Sequence, residues 1–233
     1  MAAFDGKTIL IIGASSGIGH ALAQTLQEQG ATLFTAGRRQ PEGIQSTHLT
    51  WDVNQPLDTF TGLPDVLHGL VYCPGTINLK PFQRLKRQDY RDDLEINVLG
   101  AVDAIHGALA ALRKSQNASV VLFSTVAVKV GMGLHSSVSV AKSAVEGLTK
   151  SLAAEFSPYN IRVNAVAPSL TDTPLAEPLL AGEKREAADK RHPLGRVGTP
   201  QDIAAMAAYL LSDSAGWVTG QIIGVDGGLG NLR

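Results

Sequence analysis

A histidine and a lysine are spaced so that one face of a helix could carry proton-transfer chemistry. In the stretch LHSSVSVAKSAVEGL, His135, Val138 and Lys142 stand at positions i, i+3 and i+7, which form one stripe along a helix. Histidine titrates near neutral pH and can deliver a proton, whereas Val138 has no proton to exchange. The alternative is that His135 precedes the helix and is only a structural residue at its N-terminus.

A glycine-rich loop offers a second kind of chemistry, the binding of phosphate. The segment IIGASSGIGHAL places three glycines directly after a buried N-terminal strand, with the spacing G-x-x-x-G-x-G. Glycines permit a tight turn and let backbone N–H groups approach a pyrophosphate at the start of the next helix. We predict a dinucleotide site that uses the following loop residues: Gly13, Ser15, Ser16, Gly17, Ile18 and Gly19. An ordinary strand–helix turn is the simpler alternative.

The end of the second predicted strand favours one dinucleotide over another. An acidic residue at this place would bind the ribose 2′-hydroxyl of NAD, while arginine accommodates the 2′-phosphate of NADP. The segment FTAGRRQ has Gly37 where the acid is expected, followed by Arg38 and Arg39. A guanidinium matches the geometry of a phosphate, so NADP(H) is the favoured cofactor. In the alternative interpretation, both arginines are solvated surface charges.

These residues require a frame of alternating strands and helices. Strands are predicted at Thr8–Ile12, Thr32–Ala36, Leu49–Trp51, Gly69–Tyr72, Ser119–Ser124, Ile161–Ala167 and Gln221–Val225. Helices are predicted at Gly17–Gln29 (with Gly30 as its C-cap), Gln88–Leu112, Ser137–Ser157 and Pro200–Ser212. Such alternation indicates an α/β fold: a single-domain, Rossmann-like doubly wound sheet of about seven parallel strands with helices on both faces. The proline-rich segment from Leu170 to Gly198 breaks the alternation of strands and helices, and we expect it to form a lid or substrate loop.

Composition excludes several classes of protein. The chain has 233 residues, of which 44% are hydrophobic and 18% charged, so it can bury a large core. Its net charge of −1 gives no electrostatic footprint for nucleic acid. Cys73 is the single cysteine, which excludes a disulfide framework and suits a reducing compartment. We expect a cytoplasmic protein with no membrane segment, because no apolar run reaches the length of a span or a secretory signal. The histidines are scattered, so no metal site is expected.

The chain resembles the short-chain dehydrogenase/reductase family over essentially its whole length. The motifs that carry the resemblance are GASSGIG, WDV, LEINVLG, PSLTDTP, HPLGRVGTPQDIA and VTGQIIGVDGG. The resemblance implies that Asp52, followed by Val53, binds the adenine amino group, and that Asn97 organises a proton-relay water. It also implies that the nicotinamide amide is held by the segment that contains Pro168, Thr171 and Thr173, with Ser169 in place of a glycine.

The departures from the family pattern concern the catalytic groups. The family's Asn-Asn-Ala-Gly segment is here Tyr72 followed by Cys73, Pro74 and Gly75, three residues that we still expect at the cofactor. Ile12 replaces the usual threonine before the glycine loop. The family's Tyr-x-x-x-Lys motif begins here with Val138 and ends with Lys142, and Thr125 stands where the family has its serine.

The resemblance assigns roles to the groups that remain. In the family, a tyrosine protonates the oxygen of the reduced carbonyl, a contribution worth about 10²–10⁴ in rate for a positioned acid. Lys142 is implied to bind the ribose hydroxyls of the cofactor. Thr125 is the candidate for orienting a substrate oxygen, and His135 is the candidate replacement for the missing acid.

Two functions follow from this pattern. The first is an NADP(H)-dependent oxidoreductase with an altered proton donor, which acts on a small carbonyl, an alcohol or an activated double bond. The second is a protein that binds NADPH without turnover, as a sensor or scaffold. The helix AKSAVEGLTKSLAAEF has an apolar face, and the family pairs this helix across a two-fold axis, so we predict a homo-oligomer, either a dimer or a tetramer. The alternative is that the apolar face only covers the sheet.

Overall fold

The computed structural model describes residues 3–232. Within that range, seven parallel strands form one sheet in the order β3-β2-β1-β4-β5-β6-β7. The strands are β1 (Thr8–Ile12), β2 (Thr32–Gly37), β3 (Ser46–Thr50), β4 (Gly69–Tyr72), β5 (Ala118–Phe123), β6 (Ile161–Pro168) and β7 (Ile222–Val225). The predicted single Rossmann-like α/β fold is confirmed.

Helices cover both faces of the sheet. They are α1 (Gly17–Glu28), α2 (Arg87–Leu94), α3 (Gly100–Ser115), α4 (Val126–Val130), α5 (Ser136–Phe156), α6 (Glu177–Leu180), α7 (Lys184–Arg191) and α8 (Pro200–Leu211). One apolar core joins α1 and α8 to one face of the sheet through residues such as Leu22 and Ile203. A second core joins α3 and α5 to the other face through residues such as Ile105 and Val145. Two buried faces explain why the central strands are continuous apolar runs.

The strand order places the loops that matter on one edge of the sheet. Strand β1 pairs with β2 on one side and with β4 on the other, so the chain winds outward in both directions from β1. The carboxyl ends of parallel strands then flank a crevice at this switch point, which is where ligands bind in such folds.

The third strand was predicted in the wrong place. It occupies Ser46–Thr50 rather than Leu49–Trp51, and its residues are partly or largely exposed. Strand β3 lies at the edge and pairs with β2 alone, so it does not need an apolar run. Its polar side chains bond across to β2, because the Thr35 hydroxyl lies 3.0 Å from the Ser46 hydroxyl and 3.1 Å from Nδ1 of His48.

Smaller corrections apply at the ends of the elements. Helix α1 ends at Glu28, one residue early, because Gly30 adopts a φ of 87° and the Ala31 N–H donates to the Leu26 carbonyl at 3.0 Å. Helix α5 spans Ser136–Phe156, strand β6 extends to Pro168, and β7 begins at Ile222. The short helix α4 was not predicted, since five residues give no periodic pattern.

The long helix predicted at Gln88–Leu112 is interrupted. A π-helical turn, Glu95–Leu99, separates α2 from α3. The Tyr72 hydroxyl donates to the Ile96 carbonyl of this turn at 2.5 Å. A side chain on Gly100 would come within 2.3 Å of the Tyr72 hydroxyl, so glycine is required there. Burial strongly raises the pKa of Tyr72, which keeps the phenol protonated as a donor.

The continuous helical stretch Arg87–Ser115 has the length and apolar composition that a membrane span would need. Its apolar residues Ala101, Ala104, Ile105 and Leu112 are buried in the core against the sheet. A core helix of a sheet protein satisfies the same test, so this stretch is weak evidence for a membrane span.

Candidate active site

A cavity of about 520 Å³ opens at the carboxyl edge of the sheet. Its walls come from the loops after β4, β5 and β6, the first turns of α1 and α5, and the segment with α6 and α7. The residues predicted for the site that line it are Ile18, Cys73, Gly75, Thr125, His135, Lys142, Pro168, Thr171 and Thr173. The fold therefore brings together groups that are far apart in the chain, from Ile18 to Thr173.

The stripe of His135, Val138 and Lys142 faces this cavity. His135 is the N-cap residue of α5 and lies just outside the helix, as the simpler interpretation expected, yet it lines the cavity with the other two. Its Nδ1 lies 2.7 Å from the Gly133 carbonyl, so Nδ1 carries a proton. Nε2 has no hydrogen-bond partner within residues 3–232, which leaves it available to a ligand. Val138 is only 6% exposed and forms an apolar patch between them.

Lys142 is buried beneath this patch. Its Nζ donates to the Phe123 carbonyl at 2.8 Å. Burial lowers the pKa of Lys142 to about 8, although Cys73 and Asp93 act in the opposite direction. Lys142 Nζ and Asn97 Oδ1 lie 3.3 and 3.2 Å from the point that a side chain on Gly75 would occupy, so Gly75 keeps this space clear.

Asn97 lies behind the cavity rather than in its wall. It belongs to the π-helical turn and is buried. Its Nδ2 donates to the Thr76 hydroxyl at 2.9 Å and to the Asp93 carbonyl at 2.8 Å. Its Oδ1 is buried without a partner in the described part of the chain. An acceptor left in this state costs free energy, so a donor that reached it would be bound favourably.

Thr125 presents a hydroxyl to the cavity. It directly follows β5 and caps α4, because its Oγ1 accepts from the Ala127 N–H at 3.3 Å. The oxygen is therefore used as an acceptor by the backbone. The hydroxyl proton remains available for an oxygen bound in the cavity.

The segment after β4 is held differently from what the family pattern implies. The Cys73 N–H donates to the Ile12 carbonyl at 3.0 Å, and Pro74 packs against Gly13, where a side chain would approach the proline ring to 3.1 Å. Burial raises the pKa of the Cys73 thiol to about 12, so the thiol is not a nucleophile at neutral pH. Together with the bond from Tyr72 to the π-helical turn, these contacts hold the segment after β4 in place.

The glycine loop has the geometry that its sequence predicts. Gly13 and Gly17 have φ angles of 81° and 55°, in the left-handed region. A side chain on Gly19 would come within 2.3 Å of the Gly13 carbonyl oxygen. Ser16 is the N-cap of α1 but forms no side-chain cap bond, so the first N–H groups of the helix are open to an anion. Ser15 stands in the same loop.

Four other predicted residues lie beyond the cavity, after β2 and β3. Arg38 and Arg39 are exposed, and neither forms a salt bridge within the described residues. Asp52 accepts from the Asn54 backbone and side-chain amides at 3.1 and 2.9 Å, which lowers the pKa of its carboxyl, with a smaller effect from Arg38. Val53 packs beside Gly100. Because β3, β2 and β1 are neighbouring parallel strands, these residues and the glycine loop all lie at the carboxyl ends of the strands, on the same side of the sheet.

A serine–histidine pair in the cavity wall was missed by the sequence analysis. His192 is buried, with Nδ1 lying 2.8 Å from the Ala188 carbonyl and Nε2 lying 2.8 Å from the Ser169 hydroxyl. Because a carbonyl only accepts, Nδ1 carries the proton and Nε2 accepts from Ser169. The serine in place of glycine was a signal, but nothing in the sequence connects it with a residue 23 positions later.

Within residues 3–232, no group of three His, Cys, Asp or Glu side chains is placed to hold a metal ion. The absence of a metal from the function stays a prediction.

The doubly wound sheet, the open helix N-terminus behind a glycine turn and the cavity beside it define a Rossmann-like protein with a nucleotide-type crevice. Comparison with known proteins makes this class specific. The family model described as enoyl-(acyl carrier protein) reductase matches residues 13–230. The chain belongs to the short-chain dehydrogenase/reductase family, a family of oxidoreductases.

Curated relatives match almost the whole chain. A 3-oxoacyl-[acyl-carrier-protein] reductase FabG of Thermotoga maritima is 33% identical, covering 97% of this chain and 98% of its own. The tropinone reductase homolog At2g29290 of Arabidopsis thaliana is 32% identical, covering 97% of this chain and 93% of its own.

Solved structures agree. The aldohexose dehydrogenase of Thermoplasma acidophilum superposes with a TM-score of 0.88 at 28% identity, over 99% of this chain and 96% of the other. A gluconate 5-dehydrogenase of Burkholderia cenocepacia, in complex with NADP and tartrate, superposes with a TM-score of 0.89 at 25% identity, over 97% and 96%.

Proposed function

We propose that the protein is an NADP(H)-dependent oxidoreductase that acts on a small carbonyl compound, an alcohol or an activated double bond, with His135 as its proton donor. The observation that carries the proposal is the cavity itself. It joins His135, Thr125 and Lys142 to Ile18 of the glycine loop and to the segment after β6, where the family holds its cofactor.

The residues of the crevice fit a dinucleotide. The open N-terminus of α1 and the glycine turns suit a diphosphate. Lys142 and the unpartnered Oδ1 of Asn97 lie around the clear space at Gly75, and Lys142 has donors left for ribose hydroxyls. Pro168, Thr171 and Thr173 stand at the cavity wall, where they could hold the nicotinamide amide. Asp52 lies beyond the cavity after β3, where it could bind the adenine.

The choice of NADP(H) over NAD(H) rests on the end of β2. Arg38 and Arg39 are exposed beside the crevice without salt-bridge partners in the described range, and no acidic side chain stands in the segment Gly37–Gln40. Two guanidinium groups suit a 2′-phosphate. The structure of the related gluconate 5-dehydrogenase contains NADP, which supports the same choice.

When bound, a reduced nicotinamide supplies a hydride, so the chain itself must orient the substrate oxygen and provide a proton. The Thr125 hydroxyl donates to the substrate oxygen, since its own oxygen is held by Ala127. His135 donates from Nε2 in its protonated form, because Nδ1 stays bound to the Gly133 carbonyl in either charge state. Val138 excludes water between the two polar groups of the stripe.

The test is the variant His135→Ala, assayed for NADPH oxidation against a panel of carbonyl and enone substrates. We expect kcat to fall by a factor of about 10²–10⁴. The NADPH affinity measured by calorimetry should stay within about twofold of wild type, because the proposed role of the His135 imidazole is proton donation and not cofactor binding. The double variant H135A/V138Y, which introduces a phenol one turn above Lys142, is expected to recover part of the lost rate. His106→Ala, an exposed histidine of α3, is the matched control and should leave both quantities unchanged.

Wild-type turnover in the His135→Ala variant would refute this assignment of the donor. NADPH binding without hydride transfer to any member of the panel would favour the alternative function, a sensor or scaffold that holds the cofactor. No binding of NADPH would contradict both functions.

Assembly and location stay predictions. The apolar face of α5 packs against the sheet through Val145 and Phe156, so it does not by itself indicate an oligomer. The expectation of a dimer or tetramer rests on the family, and light scattering at micromolar concentration tests it. A small-molecule substrate agrees with the relatives' enzymatic names, and a cytoplasmic location stays a prediction.

A further inference from the structure

Helix α7 carries four cations, and its ion pairs divide them into two groups. Nη1 of Arg185 lies 2.7 Å from Oδ2 of Asp172, and Nε lies 3.5 Å from Oδ2 of Asp189. Nζ of Lys190 lies 2.6 Å from Oε1 of Glu186. The other two cations, Lys184 and Arg191, form no salt bridge within residues 3–232.

The two unpaired cations share one face of the helix. Lys184, Ala187, Ala188 and Arg191 stand at i, i+3, i+4 and i+7, so they form a single stripe. All four line the cavity. The alanines leave room between the charges. Lys184 uses one donor on the Pro178 carbonyl at 3.0 Å and retains the others.

The rest of the cavity wall is mostly apolar and carries no acidic side chain from residues 3–232. The apolar side chains that line it include those of Ile77, Leu79, Met132, Leu170, Leu175 and Leu179. No aspartate or glutamate from the described part of the chain lines it, whereas Lys142, Lys184 and Arg191 do. Cations with no counterion at the rim of an apolar cavity attract an anion. Lys142 is buried and its Nζ donates to the Phe123 carbonyl, so the two cations of α7 are the ones available to a substrate carboxylate.

We propose that the substrate has an apolar carbon body with a carboxylate, which Arg191 and Lys184 bind, and that the body lies against the apolar wall. A guanidinium can bind a carboxylate through two parallel N–H···O bonds, while an ammonium adds a point charge. The inference deepens the proposed function and rests on it for the reacting carbonyl at the other end of the molecule.

The experiment compares 6-oxoheptanoate with its methyl ester, which differ in charge but share the ketone and the chain. Calorimetry measures the affinity of each for the protein alone and for the protein with NADP⁺, where the ketone cannot be reduced. We expect the acid to bind at least tenfold more tightly than the ester in wild type, and the preference to shrink as salt is added. The double variant K184Q/R191Q should lose the preference while its affinity for the ester is unchanged.

Lys190→Gln is the matched control, because this exposed lysine of the same helix is paired with Glu186 outside the cavity. It should keep the full preference for the acid. Thermal unfolding checks that each variant is folded.

Three results would overturn the inference: equal affinities for acid and ester in wild type, a preference that survives in K184Q/R191Q, or a loss of NADPH affinity in that variant, which would assign the two cations to the cofactor. These results are separate from a failure of the proposed function. Selective binding of the acid without hydride transfer would refute the oxidoreductase alone, and reduction of neutral ketones without a preference for the acid would refute the carboxylate site alone.

Discussion

The two halves of the crevice differ in the groups that form them: backbone in one half and side chains in the other. The half after β1, β2 and β3 uses backbone geometry, with Gly13 and Gly17 at positive φ and Gly19 against the Gly13 carbonyl. The half around the cavity uses side chains from β4 to α7. The glycine half keeps the family motif apart from Ile12, whereas the cavity half departs from it at Tyr72–Pro74, Val138 and Ser169.

This difference follows from how each half is constrained. At positive φ a side chain strains the backbone, and at a close backbone contact such as that of Gly19 it would clash, so glycine is strongly favoured at both kinds of position. A side chain that supports or reacts can be replaced if another group takes over its contacts. At two positions that depart from the family pattern, the side chain makes a hydrogen bond of its own: the Tyr72 hydroxyl bonds to the Ile96 carbonyl, and Ser169 bonds to His192.

The largest effect is expected where the backbone half is disturbed. Gly19→Ala places a carbon within 2.3 Å of the Gly13 oxygen, so the loop must move. We expect the free energy of unfolding to fall by about 1–3 kcal/mol. We also expect NADPH to bind about 100-fold more weakly, which is equivalent to about 3 kcal/mol. Thermal unfolding and calorimetry measure the two quantities.

Gly147→Ala is the matched control for this change. Gly147 lies in α5 with no atom within 4 Å of its added carbon, so alanine should stabilise the helix by about 0.5–1 kcal/mol and leave cofactor binding intact. A Gly19→Ala protein that binds NADPH as wild type does would show that the loop is not constrained as described.

The next effect concerns Lys142, in the cavity half. Its pKa is about 8 in the folded protein against 10.5 as its ordinary value. Between these pH values the unfolded chain binds one more proton than the folded chain, so the free energy of unfolding rises with pH across the window, by about 3 kcal/mol. Below pH 8 the lysine is charged in both states and this increment is absent.

Urea denaturation at pH 7.5 and pH 10.5 measures this increment. Lys142→Met should remove it, so that the variant gains less stability than wild type on going to high pH. Lys150→Met, an exposed lysine of the same helix, is the control and should follow wild type. Equal pH dependence in wild type and Lys142→Met would mean that Lys142 does not have the lowered pKa.

The smallest effect is expected at the outer end of the glycine half. R38A/R39A should weaken NADPH binding by about tenfold, which corresponds to about 1.4 kcal/mol for exposed charge-assisted bonds, and leave NADH binding unchanged. Lys114→Ala removes an exposed cation paired with Asp65 and is the control. If both cofactors lose affinity equally, the arginines do not select the 2′-phosphate.

The amount that sequence could predict varies along the chain. Thr8–Ile12 and Gly69–Tyr72 were predicted to the residue, because a strand buried on both faces is a continuous apolar run. Ser46–Thr50 was misplaced because an edge strand has no such run. The π-helical turn at Glu95–Leu99 could not be predicted, since Tyr72, whose hydroxyl bonds to it, belongs to a strand distant in the sequence.

The candidate site divides in the same way. The glycine loop and the helical stripe of Val138 and Lys142 followed from spacing, because both depend on contacts within a few residues. The pairing of Ser169 with His192, and the ion pairs that leave Lys184 and Arg191 without partners, depend on how the segment between β6 and α8 folds over the cavity.

By itself, the sequence determined the α/β class, the turn that can hold a diphosphate and the arginines after β2, because these are properties of local backbone conformation and of strand and helix periodicity. The tertiary structure alone decided which side chains share the cavity, which charges are neutralised and how far burial lowers the pKa of Lys142. Those properties arise from packing between distant segments, where desolvation and pairing depend on neighbours that the order of residues does not specify.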